Sequence, residues 1–568
     1  MIDLKAKPFY LNDDQIAWVE STLASMTEDE KIGQMFVNML VTDNEATNAL
    51  IDKYHFGGIR YPNKPAAMLY DQNANAQEHS PIPMMIACNI ENGGNGGVGG
   101  GTYLGDPVAI GATGDEQYAY NLGYYGCKEA AAIGCNVTFA PITDITYNWR
   151  TSVIPSRAYG NDPDLVLRMS RAYMRGANDA GLACCMKHFP GDGLDERDQH
   201  IADSINTFSC EEWDETFGKV YSGLIEDGIP MVMIGHIKLP SYSRKLSPGI
   251  EDKDILPATV APELIDGLLR KQLGFNGMVI TDATHMAGLT GRMRRADFIP
   301  NIIAAGCDMI LFYRDMDEDH RFMREGIERG LVTWERIDEA VTRILALKAM
   351  LKLPEKKANG TIMPPKEGLS VVGCAEHDAK QREALDKAIT LVKNTKDILP
   401  LTPEKAKRIC LYHVDSNPGE EGRKLPNRFK ELLEAAGFEV TAPDLGGGGD
   451  GRLLMRREST TEFRSKYDAV ILTCNVGAGL SSSNVARIRW SMSMGPDVPW
   501  YAAELPTYVI SFNNPFHLID IPMTPVYINA YNNGENAMQL VIDKLTGKSE
   551  FTGVSSVDAF CGAWDTHY

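Results

Sequence analysis

Short apolar runs recur along the first half of the chain, and each is followed by a longer stretch with apolar residues three and four positions apart. Such runs are typical of β-strands, and the stretches between them are typical of helices that end in glycine. Eight runs are predicted as strands: Gln34–Met39, Gly57–Tyr61, Pro83–Asn89, Asn136–Pro141, Ala183–Phe189, Pro230–His236, Gly277–Asp282 and Asp308–Tyr313. Predicted helical stretches include Asp115–Gly134, Asp162–Gly181, Glu211–Gly228 and Ala261–Gly274.

The alternation of strand and helix predicts an α/β fold. Parallel strands that are buried on both faces read as continuous apolar runs, and these runs have that character. Eight strand and helix units within this length favour a closed (β/α)8 barrel, the TIM-like architecture, over an open sheet.

Polar side chains gather at one end of the predicted strands. This is the carboxyl end, where barrels of this type build their active sites. A single polar residue there is equally well explained as a loop cap or a solvated side chain, but the shared placement of several favours a site. They are Asn89, Glu91, Asp144, Lys187, His188, His236 and Asp282.

The second half of the chain is organised differently. A helix is predicted over Trp334–Leu353, and the segment 354–375, which is rich in Pro, Lys and Gly at its start, indicates a linker. We therefore expect a catalytic barrel over residues 1–353 and a smaller α/β sandwich domain over 376–568. The predicted helices of this domain are Asp378–Lys393, Asn427–Ala436 and Glu535–Leu545. Its predicted strands are Arg408–Val414, Phe438–Ala442, Ala469–Cys474, Tyr508–Phe512 and Val526–Ala530.

The charge of the chain restricts its partners. With 56 Lys and Arg against 76 Asp and Glu, the 568 residues carry a net charge of −20. No basic stripe is available to displace counterions from a phosphate backbone, so we expect neither nucleic acid nor an anionic membrane as a partner. The N-terminal sequence lacks the apolar segment of a secretory signal, and no apolar run is long enough to span a bilayer. A cytoplasmic location is therefore expected.

The eleven cysteines do not indicate disulfide bonds or a zinc site. They include no CxxC pair, and Cys184 and Cys185 lie within an apolar run, where thiols usually behave as small buried hydrophobes. We expect the protein to work without a metal or a cofactor.

The densest group of polar residues and glycines is KHFPGDGLDERDQH, residues 187–200, at the end of the fifth predicted strand. Its Pro and Gly residues form a shaped loop that can bring Asp198 and His200 back over the barrel mouth. A carboxylate that accepts a hydrogen bond from one imidazole nitrogen fixes the tautomer and leaves the other nitrogen free to exchange a proton. The segment therefore suggests an acid/base pair, with an exposed charged loop as the alternative.

Asp282 follows the apolar run Met278–Ile280. A carboxylate at the end of a barrel strand is held on a rigid element and serves as a nucleophile or as a metal ligand. A nucleophile is the favoured interpretation, because only His285 lies near it in sequence and no HxH, HExxH or carboxylate cluster accompanies it.

These segments resemble glycoside hydrolase family 3, and within it the β-N-acetylglucosaminidase branch, whose signature is K-H-[FI]-P-G-x-G-x4-D-x-H. Residues 187–200 fill this signature without a gap. ITDA around Asp282 is similar to the nucleophile strand of the family, SRAYG around Arg157 to its arginine loop, and AGCDMILF to its eighth strand. AITLVKNTKDILPL resembles the opening of the family's C-terminal α/β sandwich domain, so the likeness covers nearly the whole chain.

The resemblance implies a retaining, exo-acting hydrolase that removes terminal β-linked N-acetylglucosamine from a small carbohydrate or glycoconjugate. Asp282 is expected to attack the anomeric carbon and form a covalent glycosyl-enzyme. His200, paired with Asp198, is expected to protonate the departing oxygen and then to activate water. Residues expected to bind the sugar hydroxyls are Lys187, His188, Arg157, Asn89 and His236.

Three departures from the family pattern leave alternatives open. Asn89 stands where the family usually has an Asp that grips outer hydroxyls, so the charge-assisted part of that contact is lost. The glycine run Gly93–Gly101 replaces a commonly found arginine, and Asp192 replaces a commonly found His. A β-glucosidase-type preference for a different sugar is therefore one alternative. A phosphorylase is another, because an imidazole base repels an approaching phosphate less than a carboxylate does.

Two classes outside the glycosidases are further alternatives. G-x-G-x-x-G patterns suggest a nicotinamide-dependent oxidoreductase, although a flexible loop explains them better in a glycine-rich chain. They occur at Gly94, Gly96 and Gly99 and at Gly446, Gly448 and Gly451. A non-catalytic carbohydrate-binding protein is expected to lack the nucleophile or the acid/base pair, and this chain has both. The role of the C-terminal domain and the oligomeric state, monomer or homo-oligomer, are left open.

Overall fold

The computed structural model describes residues 2–416, 419–443, 459–477, 487–490, 495 and 497–568. The chain divides into two compact units. The first comprises Met1–Leu104, Glu116–Ile154 and Asp162–Asp378, and the second comprises Gly105–Asp115, Pro155–Asn161 and Ala379–Tyr568. The sequence pattern assigns residues 1–353 to one domain and does not reveal that two short segments of this range group with the second unit.

The first unit contains a closed barrel of eight parallel strands in chain order, and the pairing of Phe36 with Ile310 closes the first strand on the last. Each of the eight predicted runs overlaps one of these strands, and only the seventh strand extends beyond its run, by one residue to Ala283, so the barrel prediction is confirmed. Side chains along the strands are almost all buried, as expected for strands covered on both faces. The strands are Phe36–Met39, Gly58–Arg60, Met85–Cys88, Val137–Thr138, Ala183–Phe189, Met231–Ile234, Met278–Ala283 and Met309–Leu311.

Helices follow the strands and bury their apolar stripes against the barrel. In Pro163–Asp179, for example, the Asp162 side chain accepts a hydrogen bond from the Asp164 N–H and caps the first turn, where a proline loses no hydrogen bond. The α-helices of the first unit are Asp13–Ser25, Glu28–Gln34, Asn44–Tyr54, Ala66–His79, Glu116–Ala132, Pro163–Asp179, Cys210–Trp213, Lys219–Glu226, Pro240–Leu246, Ala287–Thr290, Arg295–Ala305, Met316–Glu328, Trp334–Met350 and Leu353–Ala358. Its 3₁₀ and π-helical segments are Gly94–Gly96, Asp214–Gly218, Asp252–Asp254, Ala258–Val260, Glu263–Gln272 and Lys366–Val371.

The segment predicted as a linker contains regular structure. Leu353–Ala358 is a helix, and Lys366–Val371 is a 3₁₀ turn. Pro354 lies in the first turn of that helix, where its missing N–H costs nothing, so the proline starts the helix rather than breaking it. The composition of the segment did not reveal this local helical structure, and its assignment as a linker stays a prediction.

A small two-stranded parallel sheet extends the barrel beyond its carboxyl end. Ser204–Ile205 pairs with Ile237–Lys238, so the loop after the fifth barrel strand is joined to the segment after the sixth. Neither strand is evident from the sequence, because two-residue strands carry no periodic signal.

The second unit is built on a six-stranded sheet. The order is Thr390–Asn394, Val526–Asn529, Thr507–Ser511, Ala469–Asn475, Arg408–Asp415 and Glu439–Thr441, and only the first strand is antiparallel to its neighbour. The α-helices of the second unit among the described residues are Pro107–Ala112, Glu420–Ala435, Thr460–Lys466 and Glu535–Leu545, together with most of Ala375–Ala388. It has 3₁₀ turns at Trp500–Ala503 and His517–Asp520. The five predicted strands are confirmed.

The predicted helix Asp378–Lys393 is wrong at its C-terminal end. The helix spans Ala375–Ala388, and Thr390–Asn394 is the antiparallel edge strand, which pairs with Val526–Asn529. Thr390 and Val392 have the β-branched side chains that strands favour, and sheet pairing at this edge outweighs the helical pattern that leads into it.

No helix in the part of the chain that the structure describes has both the length and the apolar character to cross a membrane. The cytoplasmic location stays a prediction.

Candidate active site

Asp282 lies near the end of the seventh barrel strand, with its side chain 15% exposed. Its Oδ1 accepts a hydrogen bond of 2.7 Å from the N–H of Ala283. Burial acts to raise the pKa of Asp282, but the charges of His188 and His236, the Ala283 N–H and the charge of Lys187 together outweigh burial and lower the pKa. The carboxylate is therefore held ionised, which is the state a nucleophile needs.

His188, at the end of the fifth strand, lies between two carboxylates. Its Nδ1 is 2.7 Å from Asp144 Oδ2, and its Nε2 is 3.8 Å from Asp282 Oδ2. Asp144 is fully buried and also accepts hydrogen bonds from the N–H groups of His188 and Asp192, at 3.1 and 2.8 Å. Burial acts to raise the pKa of Asp144, and the charge and hydrogen bonds of His188 reverse that effect. This first Asp–His pair fixes the ring that faces Asp282.

Lys187 is also paired with a carboxylate that the sequence did not link to it. Its Nζ donates a hydrogen bond of 2.6 Å to Glu91 Oε1, and both side chains are largely buried. Glu91 follows the third strand and was noted only as one of the polar residues at strand ends. The pair brings a cation and an anion to the barrel mouth, where both can hydrogen-bond to hydroxyl groups.

Asp198 and His200 form the predicted pair. Asp198 Oδ1 lies 2.6 Å from His200 Nδ1 and also accepts a hydrogen bond of 2.8 Å from the His200 N–H. Asp198 is fully buried, whereas the side chain of His200 is 29% exposed. The contact engages Nδ1 of the ring and leaves Nε2 to exchange a proton with a molecule at the barrel mouth. The alternative of an exposed charged loop does not describe Asp198, which is buried, and the His200 ring is only partly exposed.

The loop that carries this second pair is folded towards the seventh strand. The Ala287 N–H donates a hydrogen bond of 2.9 Å to the carbonyl of His200, and the Gly288 N–H donates one of 3.0 Å to the carbonyl of Gln199. Ala287 lies only five residues after Asp282 in the chain. The proposed acid/base residue is thus attached to the polypeptide segment that follows the proposed nucleophile.

His236 has protein partners on both ring nitrogens. Nδ1 lies 2.7 Å from Thr259 Oγ1, and Nε2 lies 3.0 Å from the carbonyl oxygen of Ala283. Burial lowers the pKa of His236, and the charges of His200 and His188 lower it further against the attraction of Asp282. A neutral ring with its proton on Nε2 satisfies these contacts. A direct sugar contact for His236 stays a prediction, and its observed contacts hold the main chain next to Asp282.

Asn89 is half-buried after the third strand, where its Oδ1 lies 3.4 Å from Arg60 Nε. Arg60 ends the second strand and was not among the predicted site residues, although a basic residue at the end of an apolar run is a usable signal. The Arg60 guanidinium therefore places a positive charge beside Asn89. The neutral Asn89 stands where the family usually has a negatively charged aspartate. Arg157 is half-buried in Pro155–Asn161, a segment of the second unit, and its role stays a prediction.

The glycine run after Asn89 is held by a buried glutamate. Glu129 accepts hydrogen bonds of 2.8 Å from both the N–H and the hydroxyl of Thr102. A Cβ on Gly94 would lie 1.9 Å from the Glu129 carboxylate, so this glycine is required for close packing. The Gly94 match to G-x-G-x-x-G thus has a packing explanation. The second match, at Gly446, Gly448 and Gly451, lies outside the described residues.

Over the residues that the structure describes, no group of three or more His, Cys, Asp or Glu side chains is placed to hold a metal ion. His285 is exposed, three residues after Asp282. The titratable groups that the structure places at or beside the barrel mouth include Asp282, three imidazoles and the Lys187–Glu91 pair.

Comparison with known proteins identifies relatives over the whole chain. Residues 27–347 match the sequence description of the glycosyl hydrolase family 3 N-terminal domain. The chain is 42% identical over 572 residues to a β-N-acetylglucosaminidase/β-glucosidase from Cellulomonas fimi, with 100% of both chains covered.

Solved structures show the same architecture. A β-glucoside phosphorylase, BglX, superposes with a TM-score of 0.92 and 38% sequence identity over 99% of each chain. A glycoside hydrolase family 3 β-N-acetylglucosaminidase from Paenibacillus sp. str. FPU-7 superposes with a TM-score of 0.76 and 25% identity, covering 95% of this chain and 100% of that one. The names of these two relatives state different reactions, phosphorolysis and hydrolysis of a glycosidic bond.

Proposed function

Because the chain belongs to glycosyl hydrolase family 3, we propose that it is a retaining, exo-acting glycosidase that removes terminal β-linked N-acetylglucosamine. The single observation that carries this proposal is the formed Asp198–His200 pair, on a loop hydrogen-bonded to the segment after Asp282. A nucleophile and an acid/base group on adjoining segments are what a double displacement requires.

In the first step, Asp282 attacks the anomeric carbon as the glycosidic bond breaks. The carboxylate is suited to this because its pKa is lowered and the strand holds it in place. His200 gives its Nε2 proton to the departing oxygen, and Asp198 stabilises the charged ring from which the proton leaves. The products of this step are a glycosyl ester on Asp282 and a free alcohol.

In the second step, the neutral His200 accepts a proton from water. The resulting oxygen attacks the anomeric carbon from the face that the alcohol left, and Asp282 is released as a carboxylate. Two inversions give net retention of the β configuration. Lys187, His188 and Arg157 are proposed to contact sugar hydroxyls and to orient the ring for attack by Asp282.

The choice of sugar is the finer part of the proposal. Support for N-acetylglucosamine comes from the residues 187–200, which fill the signature of that branch, and from the activity named for the Cellulomonas fimi relative. The name of that relative also includes β-glucosidase. Asn89 beside Arg60 replaces the usual aspartate, so glucosides are the comparison substrates.

Phosphorolysis is the second candidate function. The observation that favours it is the full-length likeness to a β-glucoside phosphorylase at 38% identity. The physical argument agrees, because a neutral imidazole in the second step does not repel an approaching phosphate as a carboxylate would. Phosphate would then replace water, and a second displacement with retention would give a β-configured sugar 1-phosphate.

The experiment that tests both candidates is NMR analysis of the first-formed product from 4-nitrophenyl β-N-acetylglucosaminide and β-glucoside, with and without inorganic phosphate. The proposal predicts a β-configured free sugar, formed faster from the N-acetylglucosaminide. A β-configured sugar 1-phosphate that appears only with phosphate would replace hydrolysis by phosphorolysis. An α-configured first product would contradict the retaining mechanism in both forms.

A further inference from the structure

Gln199 lies between the two members of the proposed acid/base pair, and its side chain is directed into the protein. Its exposed fraction is 1%. Oε1 accepts a hydrogen bond of 2.7 Å from the N–H of His236, just beyond the end of the sixth barrel strand. Nε2 lies 3.5 Å from Asp192 Oδ2, at the long limit of a hydrogen bond. Both ends of the amide therefore contact the barrel mouth.

The main chain of the same loop is held at the seventh strand. The carbonyls of Gln199 and His200 accept the N–H groups of Gly288 and Ala287. A Cβ on Gly288 would lie 2.7 Å from the Gln199 carbonyl oxygen and 3.1 Å from that of Ala202, so the loop packs directly on this glycine. The acid/base loop is thus attached to the ends of the fifth, sixth and seventh strands.

Asp192 connects this loop to the first Asp–His pair. The Asp192 N–H donates to Asp144, which holds His188 in front of Asp282. The Asp192 carboxylate accepts the Gly193 N–H at 2.7 Å and lies next to the Gln199 amide. The family signature leaves the positions of Asp192 and Gln199 unspecified, and in this chain the two side chains meet.

We propose that Gln199 is a positioning residue that keeps the acid/base loop closed over the barrel mouth, with Asp192 as its partner. The inference rests on the proposed roles of Asp198 and His200. Gln199 spans from the sixth strand to the turn after the fifth, so it fixes the backbone between Asp198 and His200. With the amide removed, the His236 N–H has lost its acceptor, and the loop has lost its buried side-chain link to the end of the sixth strand.

The variant Gln199→Ala is expected to impair proton transfer more than nucleophilic attack. For an alkyl β-glycoside, whose departing oxygen needs a proton, we expect kcat/KM to fall about 10- to 100-fold. For a 2,4-dinitrophenyl β-glycoside, whose leaving group departs without one, kcat/KM should stay within about threefold of the parent value. A purely structural role would lower both values together.

A pair exchange gives the sharpest test, because it restores the contacts with different atoms. Gln199→Glu places a carboxylate against Asp192, and Asp192→Asn places two amide donors against each other, so each single variant should lose activity on the alkyl glycoside. The double variant combines Asp192→Asn with Gln199→Glu. Its new amide donates to its new carboxylate, which still accepts the His236 N–H. We expect the double variant to exceed both single variants at least about threefold.

Three controls accompany the exchange. Glu196→Gln alters an exposed carboxylate on the same loop, whose 3.4 Å contact with Arg150 lies at the surface, and should match the parent. Gly288→Ala pushes on the loop from the other side and should give the same leaving-group pattern as Gln199→Ala. Hydrogen exchange of the backbone over residues 194–203 should be faster in Gln199→Ala and in Gly288→Ala than in the parent. It should be unchanged in Glu196→Gln.

The outcomes separate this inference from the function it rests on. If His200→Ala shows no leaving-group dependence, the proposed acid/base role is wrong. If His200→Ala shows that dependence but Gln199→Ala and the pair exchange behave like the parent, the role of Gln199 is wrong. Equal losses on both glycosides in Gln199→Ala, with no recovery in the double variant, also overturn it. Support requires the selective loss together with the recovery.

Discussion

The candidate active site contains two Asp–His pairs that are nearly identical in contact distance and different in surroundings. Asp144 and His188 are 2.7 Å apart, and Asp198 and His200 are 2.6 Å apart. The side chain of His188 is 4% exposed on a barrel strand, whereas that of His200 is 29% exposed on a loop. Burial and attachment therefore distinguish the two pairs, not the hydrogen bond itself.

The difference agrees with the separate roles that we propose for the two pairs. Both nitrogens of His188 face carboxylates of the protein, so its charge acts on Asp282 and lowers the pKa of that group. His200 has one nitrogen on Asp198 and a partly exposed ring, so it is suited to exchange a proton with a substrate. In the proposed mechanism, the same pair of residue types holds a charge in one place and moves a proton in another.

The largest expected effect comes from Asp282→Asn, which removes the proposed nucleophile. The Asp144–His188 pair lowers the pKa of this group, and the Asp198–His200 pair is proposed to act with it as the acid/base. An amide is a poor nucleophile, so kcat/KM on a 4-nitrophenyl β-glycoside should fall at least about 10⁴-fold. Thermal unfolding controls for folding and should change little, because the new amide oxygen can still accept the Ala283 N–H. Activity close to that of the parent would remove Asp282 from the mechanism.

The next effect separates the two imidazoles. His200→Ala should lower kcat/KM about 10²- to 10⁴-fold on alkyl glycosides and far less on dinitrophenyl glycosides. His188→Ala should lower both by a similar factor, about 10²-fold, because electrostatic support of the reaction does not depend on the leaving group. The measurement is kcat/KM over a series of leaving groups. If kcat/KM depends on the pKa of the leaving group with the same slope in both variants, the two pairs do not have different roles.

A smaller loss of activity is expected when Asp144 or Asp198, the carboxylates of the two pairs, is replaced by Asn. Asp144→Asn weakens contacts to one ring and two backbone N–H groups in a fully buried place, so it should lower the free energy of unfolding by about 1–3 kcal/mol as well as activity. Asp198→Asn should mainly lower activity on poor leaving groups. Denaturant unfolding and kinetics on the two variants check this. An Asp144→Asn protein as stable as the parent would show that its contacts are dispensable.

The smallest effect is a shift in pH dependence. The lowered pKa of Asp282 places the acidic limb of kcat/KM below the ordinary range of an aspartate, because the nucleophile must be ionised. His188→Gln removes a charge that lowers this pKa, so the acidic limb should move to higher pH. His200→Gln should leave that limb in place. Movement in the opposite direction, or an equal shift in both variants, would contradict the electrostatic role of His188.

Local sequence signals were sufficient for part of the fold and the site. The eight barrel strands followed from buried apolar runs, and the Asp198–His200 pair followed from two residues two positions apart in a loop shaped by glycines. Asp282 is a candidate nucleophile in the sequence because it follows an apolar run, and that role stays a proposal. In each case the information lies within a few residues of the chain.

Contacts between distant segments could not be predicted in the same way. Asp144 and His188 are 44 positions apart, and Glu91 and Lys187 are 96 apart, so no periodicity links them. Gln199 reads as a polar loop residue until its contact with the His236 N–H is known. The edge strand Thr390–Asn394 was also missed, since it depends on pairing with a strand far along the chain.

The proposed mechanism requires that the two Asp–His pairs have different roles. The most direct test of this requirement is mass spectrometry of the protein during turnover of a 2,4-dinitrophenyl β-glycoside. In His200→Ala, the first step proceeds without acid help and the second lacks its base, so a species heavier by one glycosyl group should accumulate on Asp282. In His188→Ala it should not accumulate. A label on another residue, or no accumulation in His200→Ala, would contradict the account.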